Sequence, residues 1–138
     1  MQSDLIQVLE ERFGRHPVRR FLDFDIKSLE EDRCVMSIGF KPEFDSTNNA
    51  IHGGVLAMLA DTAVAFALAA SFNGEANFAT SNMNIHFLRR ANTVVTATAT
   101  IIKKGSKVCV GTCELHDAEG HQVATAICDF VLFGGSGT

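Results

Sequence analysis

Two features of the sequence could do chemistry. One is Asp61, set alone in the apolar run from Val55 to Phe72; the other is the His52-Gly53-Gly54 triplet that opens that run. As a helix, Gly53 to Phe72 is apolar almost all the way round, a pattern that belongs inside a core or a membrane. An unpaired carboxylate there is expensive and tends to mark a functional site. The start of a helix offers N–H groups without intrahelical partners and a partial positive charge, a polariser for a carbonyl that becomes an oxyanion. Gly54 keeps that backbone accessible because it has no side chain. Asp61 lies seven residues further on, about 10 Å along the axis, and cannot reach a carbon held by its own Gly54. Two such helices, side by side and antiparallel, would bring Asp61 of one chain to Gly54 of another. The chemistry therefore requires a dimer.

The remaining elements must hold this helix. In lipid, Asp61 would cost about 2.5–3.5 kcal/mol, so the sequence favours a helix swaddled by a sheet, with Ala57, Ala60, Ala63 and Ala67 allowing close backbone approach. Leu5, Ile6, Leu9 and Phe13 recur at helical spacing, with Ser3 or Asp4 as N-cap and Gly14 as stop, and predict a short N-terminal helix. Phe21 to Leu29 alternates apolar and polar residues, as does Cys34 to Phe40, and the pair reads as a hairpin turned by Glu30-Glu31-Asp32. Four long strand-like runs follow the helix: Asn77 to Leu88, Thr93 to Lys103, Lys107 to His116 and Gln122 to Phe133. Short turn-like links separate them and predict antiparallel neighbours in chain order. The sum is an α+β fold in which one long central helix packs against a curved six-stranded antiparallel sheet. Residues 1–133 form one domain on this reading, and 134–138 a flexible tail. A sheet with a single helix leaves edges to manage, so self-association through them is expected.

Composition narrows the function. A net charge of −4 and the lack of a basic stripe with interleaved aromatics predict no nucleic-acid partner. The acidic residues among Met1 to Gly14 do not suit a signal peptide. Cys34, Cys109, Cys113 and Cys128 lie in apolar strand-like stretches without a C-x-x-C pair, as reduced thiols of a cytoplasmic protein would. His52, His86, His116 and His121 show no ligand spacing, so no metal is expected.

The run His52-Gly53-Gly54-Val55, then Leu59-Ala60-Asp61-Thr62-Ala63, then Asn84-Ile85-His86-Phe87-Leu88-Arg89, resembles the hotdog-fold acyl-CoA thioesterases, in particular the phenylacetate-degradation type. The resemblance spans nearly the whole chain. It implies a homodimer of hotdogs, usually paired into a homotetramer, that hydrolyses the thioester of acyl-coenzyme A without metal or other cofactor. Carried onto this chain, the family's acidic residue is Asp61, as nucleophile or general base on water. Its backbone donor to the thioester carbonyl is Gly54, with Gly53 beside it, and its hydroxyl on the strand after the helix is Thr80. Many relatives carry Asn or Gln early in the loop before the histidine, where this chain has Ser46; Asn48 and Asn49 lie nearby but out of step.

His52 reads as an N-cap or loop-anchoring post ahead of a catalytic base. Thr80, Asn82, Asn84 and His86 alternate on one strand face. Arg89, Arg90, Lys103, Lys104 and Lys107 are the concentrated basic residues after the helix, expected to cluster at neighbouring strand ends and meet the phosphates of coenzyme A. Phe66, Phe72, Phe78 and Phe87 are candidates to line the acyl pocket. Two other functions remain open: a hotdog-fold enoyl-CoA hydratase or dehydratase using His52, and a non-catalytic acyl-CoA-binding protein.

Overall fold

The computed structural model describes residues 2–13 and 16–133. The expected tail, 134–138, and the expected stop at Gly14 lie outside them. Helix α1 runs Gln2–Phe13, starting ahead of Ser3, so Asp4 sits in its first turn rather than at its cap. A second short helix, α2, spans Pro17–Leu22. Strands β1 (Asp25–Glu30) and β2 (Arg33–Ile38) follow, then the long helix α3 (Gly53–Ser71), and then β3 (Phe78–Phe87), β4 (Val95–Lys104), β5 (Val108–His116) and β6 (Gln122–Leu132).

Helix α2 corrects the strand expected from Phe21. Proline at its first position presets helical φ, and Asp23 closes it in the left-handed conformation at φ 49°, so Leu22 is buried from a helix and the strand begins only at Asp25.

The six strands form one sheet in the order β1-β2-β4-β5-β6-β3, and every neighbouring pair is antiparallel. This is the expected hotdog arrangement, with one difference. β3 and β4 are not neighbours: β3 pairs with β6 at the sheet's far edge, while β4 pairs with β2. The link between them has to cross about three strand spacings, roughly 14 Å, within reach of seven residues of chain. It is pinned on the way, since Leu88 N–H donates to the Val123 carbonyl and Ile51 N–H to the Ala91 carbonyl, each at 2.8 Å.

Alternation does the rest. Val95, Ala97, Ala99 and Ile101 of β4 are buried beneath α3, as are Cys109, Cys113 and Leu115 of β5. Small residues let the backbones approach: a Cβ built on Gly111 would stand 2.5 Å from Val64 Cγ1, so β5 carries no side chain where α3 crosses it. Leu59, Ala60, Ala63, Val64, Ala67 and Leu68 have no exposed surface, and each large one contributes about 1.5–3 kcal/mol by burial. The far end of α3 is tied to the β1–β2 turn, where the Ser71 hydroxyl donates to the Asp32 carboxylate. By length and hydropathy α3 could cross a membrane; here it is the core of the sheet.

Candidate active site

Asp61 lies half-buried in the middle of α3, and the Thr80 hydroxyl of β3 donates to its Oδ1 at 2.8 Å. A β-bulge makes that bond available. Thr80 pairs with Phe130 and Asn82 with Asp129, leaving Ser81 unmatched. The extra residue reverses the facing of all that follows. Thr80 therefore points toward α3, whereas beyond the bulge Met83 and Ile85 face the core. The expectation that Thr80 shares a face with Asn82, Asn84 and His86 is corrected by this one-residue slip.

Burial raises the Asp61 carboxyl above its ordinary value, and the Thr80 hydrogen bond partly opposes the rise. The carboxylate opens into a cavity of about 150 Å³ that Phe13, Val18, Phe24, Ala65, Phe66 and Phe78 make largely apolar. Arg19 closes one side: its guanidinium stacks 4.1 Å from the Phe24 centroid and donates through Nε and Nη2 to the Glu10 carboxylate, both at 3.3 Å. Of the four expected acyl-pocket aromatics, Phe66 and Phe78 line this cavity. Phe72 packs on the core at the end of α3, and Phe87 stands over Gly53, whose added Cβ would lie 3.3 Å from its ring. The contributions of Phe13, Arg19 and Phe24 come from α1, α2 and the residue just ahead of β1, and no motif announces them.

At the start of α3 the donors are divided. His52 is the N-cap, and its Nδ1 accepts the Gly54 N–H at 2.7 Å. Its carbonyl accepts from Val55 and Leu56 at 2.9 and 3.2 Å. Gly53 N–H has no partner among the described residues, so it is the unspent donor of the first turn. Because Nδ1 accepts, the neutral ring carries its proton on Nε2 and can serve there only as a donor.

A hollow of about 480 Å³ faces this end of the helix, with Ser46, Gly53, Phe87, Arg89 and Arg90 among its walls. Asn49 borders an adjoining hollow with the same two arginines. Asp45 shapes the loop between, its Oδ1 accepting from Thr47 and Asn49 N–H at 2.9 and 3.1 Å, with both residues at positive φ. Arg89 lies 4.0 Å from the Asp117 carboxylate, and Arg90 donates to the Asn48 carbonyl.

The five expected basic residues do not cluster. Strand register puts Phe87 level with Ala124, Leu115 and Ala97, whereas Lys104 pairs with Cys109 and Val108 with Val131. Arg89 and Arg90 thus sit at one end of the sheet and Lys103, Lys104 and Lys107 at the other, roughly 20 Å apart along the strands. Lys104 is already paired with Asp32 and Glu31 at 3.1 and 3.4 Å. Nor do Asp61 and the start of α3 meet: the cavity at Asp61 and the hollow at Gly53 share no wall residue. A hollow of similar size between α1 and β1, walled by Leu5, Val8 and Leu29, contains none of these groups. All four cysteines are free and buried; the Cys128 thiol is pushed up to about 12 by burial, then by the Asp61 charge.

A sequence profile of the thioesterase superfamily matches residues 48–124, from the loop before His52 into β6. The chain belongs to the thioesterase superfamily. A protein of Saccharolobus solfataricus that carries a provisional esterase name is 32% identical over 127 residues, covering 91% of this chain and 90% of that relative. Among solved structures, the Escherichia coli PaaI protein from the phenylacetic acid degradation operon superposes with a TM-score of 0.87 at 25% identity, over 98% of this chain and 97% of that one. A Streptococcus pneumoniae protein named as a hypothetical thioesterase and solved with coenzyme A gives 0.81 at 18% identity, over 91% and 97%. This thioesterase is a hydrolase acting on thioesters.

Proposed function

We propose that this thioesterase hydrolyses acyl-coenzyme A to the free acid and coenzyme A, with Asp61 as general base or nucleophile and no metal or cofactor. The observation that carries the proposal is Asp61 itself: a carboxylate raised by burial, held by Thr80 and opening into an apolar cavity. Acting as a base, it takes a proton from water as the hydroxyl adds to the thioester carbon. The C–S bond then breaks and the thiolate leaves. As a nucleophile it forms a mixed anhydride that water cleaves. Either role needs the ionised carboxylate.

The thioester oxygen is received at the start of α3. Gly53 N–H is unspent, and Gly54 N–H beside it is shared between the thioester oxygen and His52 Nδ1, which keeps accepting from it. Within one chain that point is about 10 Å from Asp61, so the working site pairs Asp61 of one protomer with Gly53 and Gly54 of its partner. The working unit in this proposal is a homodimer, itself pairing into a homotetramer. The ten-residue β3 edge, unpaired on its outer side in the single chain, supports such self-association. Arg89 and Arg90, beside Ser46 and Asn49 at the hollow in front of Gly53, suit the coenzyme A phosphates. The coenzyme A carried by the Streptococcus pneumoniae neighbour supports the same thiol. Residues 1–133 act as one domain in this proposal, supported by a single core that runs from Leu9 to Phe130. In this proposal the protein works in the cytoplasm, a setting that its four free, buried thiols suit.

Hydration of an enoyl-CoA would need His52 as a base, and its Nδ1 is committed to the Gly54 N–H. The test is thiol release over a panel of acyl-CoAs. Turnover that follows folded protein and is lost in Asp61→Asn is expected, while binding without thiol release would leave a non-catalytic binder.

A further inference from the structure

The cavity at Asp61 has a neighbour. A second hollow of about 160 Å³, walled by Arg12, Asn77 and Phe133, adjoins it, and Phe13 and Phe78 line both. The two rings are therefore the partition between the hollows. Each is braced. Phe13 packs on Phe66 at 5.6 Å between centroids and carries the Arg12 guanidinium at 5.3 Å. Arg12 Nη2 in turn donates to Asn77 Oδ1 at 3.1 Å, which ties the end of α1 to the start of β3. Phe78 packs edge-on against the buried Phe130 at 5.5 Å.

We infer that Phe13 and Phe78 set the length limit of the acyl group. The inference rests on the proposed hydrolase, with the apolar cavity at Asp61 taken as the seat of the acyl group. With the partition in place the front compartment measures about 150 Å³, and an apolar cavity of about that size takes a benzene-sized guest. An acyl group no longer than a ring or a short chain fits there, with its carbonyl left beside Asp61. A medium straight chain needs the second compartment as well, and the partition denies it. Aromatic walls suit this task because a ring with two χ angles, packed on a second ring, gives way less readily than an aliphatic side chain.

The experiment compares kcat/KM for phenylacetyl-CoA and decanoyl-CoA in the wild-type enzyme, Phe78→Ala and the milder Phe78→Leu, with thermal melting to establish folding. The wild type should favour the compact substrate. Phe78→Ala should raise the decanoyl-to-phenylacetyl ratio by roughly tenfold or more, the scale of discrimination that a pocket exerts per methylene. Phe78→Leu should move it in the same direction by less, and it carries the test if the alanine variant does not fold. A folded variant that slows both substrates equally would overturn the partition while leaving the hydrolase intact. A wild type that releases no thiol from any acyl-CoA would overturn the proposed function and the partition with it.

Discussion

Gly54 donates its N–H to His52 Nδ1 across 2.7 Å, and that bond decides what His52 can do. A ring nitrogen that accepts a backbone N–H is not available as a base, so His52 acts as a cap that shapes the helix start. His52→Asn, which keeps an acceptor at the N-cap, should retain most of the turnover. His52→Ala should lose about 1 kcal/mol of stability, the usual value of an N-cap. Melting curves and thiol release on the same preparations check this; a loss of about 10²–10⁴ in His52→Asn would instead identify a base.

Asp61→Asn keeps size and removes the charge. Turnover should fall by about 10²–10⁴ with acyl-CoA binding largely kept. Stability should move the other way. The folded protein holds the Asp61 carboxyl above its ordinary value of 3.8, so it favours the protonated form. That contribution is complete below the ordinary value and is lost as pH rises through the raised one. At pH 7 the ionised carboxylate is therefore a burden, and Asp61→Asn should melt higher than wild type, with the gap closing toward pH 4. An equal or lower melting temperature at pH 7 would count against the buried-charge description.

Thr80 sets the working range of that carboxylate. Its hydroxyl favours the ionised form, so Thr80→Val should push the Asp61 carboxyl further up and move the acid limb of kcat/KM to higher pH. Turnover at the acidic end should drop about tenfold, the effect of one charge-assisted hydrogen bond, with recovery at alkaline pH. A uniform loss at every pH would mean that Thr80 positions substrate or water instead.

The parts of this site that were legible in the sequence are those governed by local pattern. The apolar period of α3, its single carboxylate and its glycine start were all readable, as was alternation along β4 and β5. Three things depended on tertiary arrangement. The place of β3 beside β6 arises from the closure of the sheet, since the short Arg90-Ala91-Asn92 link reads the same for a hairpin and for a crossover. The bulge at Ser81, which turns Thr80 toward Asp61, has no glycine to signal it. Helix α2 takes its last two residues, Phe21 and Leu22, from a stretch whose alternation imitates a strand, and the Arg19–Glu10 pair joins two helices that no local period relates.

The separation of the basic residues gives a discriminating pair. Arg89 is at the hollow before Gly53, whereas Lys103 lies at the opposite end of the sheet. Arg89→Ala should raise KM for acyl-CoA by about tenfold, the value of one charge-assisted phosphate contact, and leave KM for the matching acyl-pantetheine unchanged. Lys103→Ala should leave both alone. An acyl-CoA defect confined to Lys103→Ala would move the phosphate contact to the other end.

The central claim is that each site takes its carboxylate from one protomer and its carbonyl donor from the other, and subunit complementation tests it most directly. Gly53→Pro suits the donor side, because proline is favoured at the first helical position and takes away the N–H, while the Phe87 ring, 3.3 Å from the added Cβ, has only to shift slightly. The extended backbone of His52, at ψ 135°, already suits the residue before a proline. Asp61→Asn and Gly53→Pro should each be nearly inactive as homodimers. Mixed and allowed to exchange subunits, they should regain up to about a quarter of wild-type thiol release, since half of randomly assorted dimers are mixed and each has one intact site of two. A mixture that sediments as dimers, exchanges subunits and stays as inactive as its components would contradict the shared site.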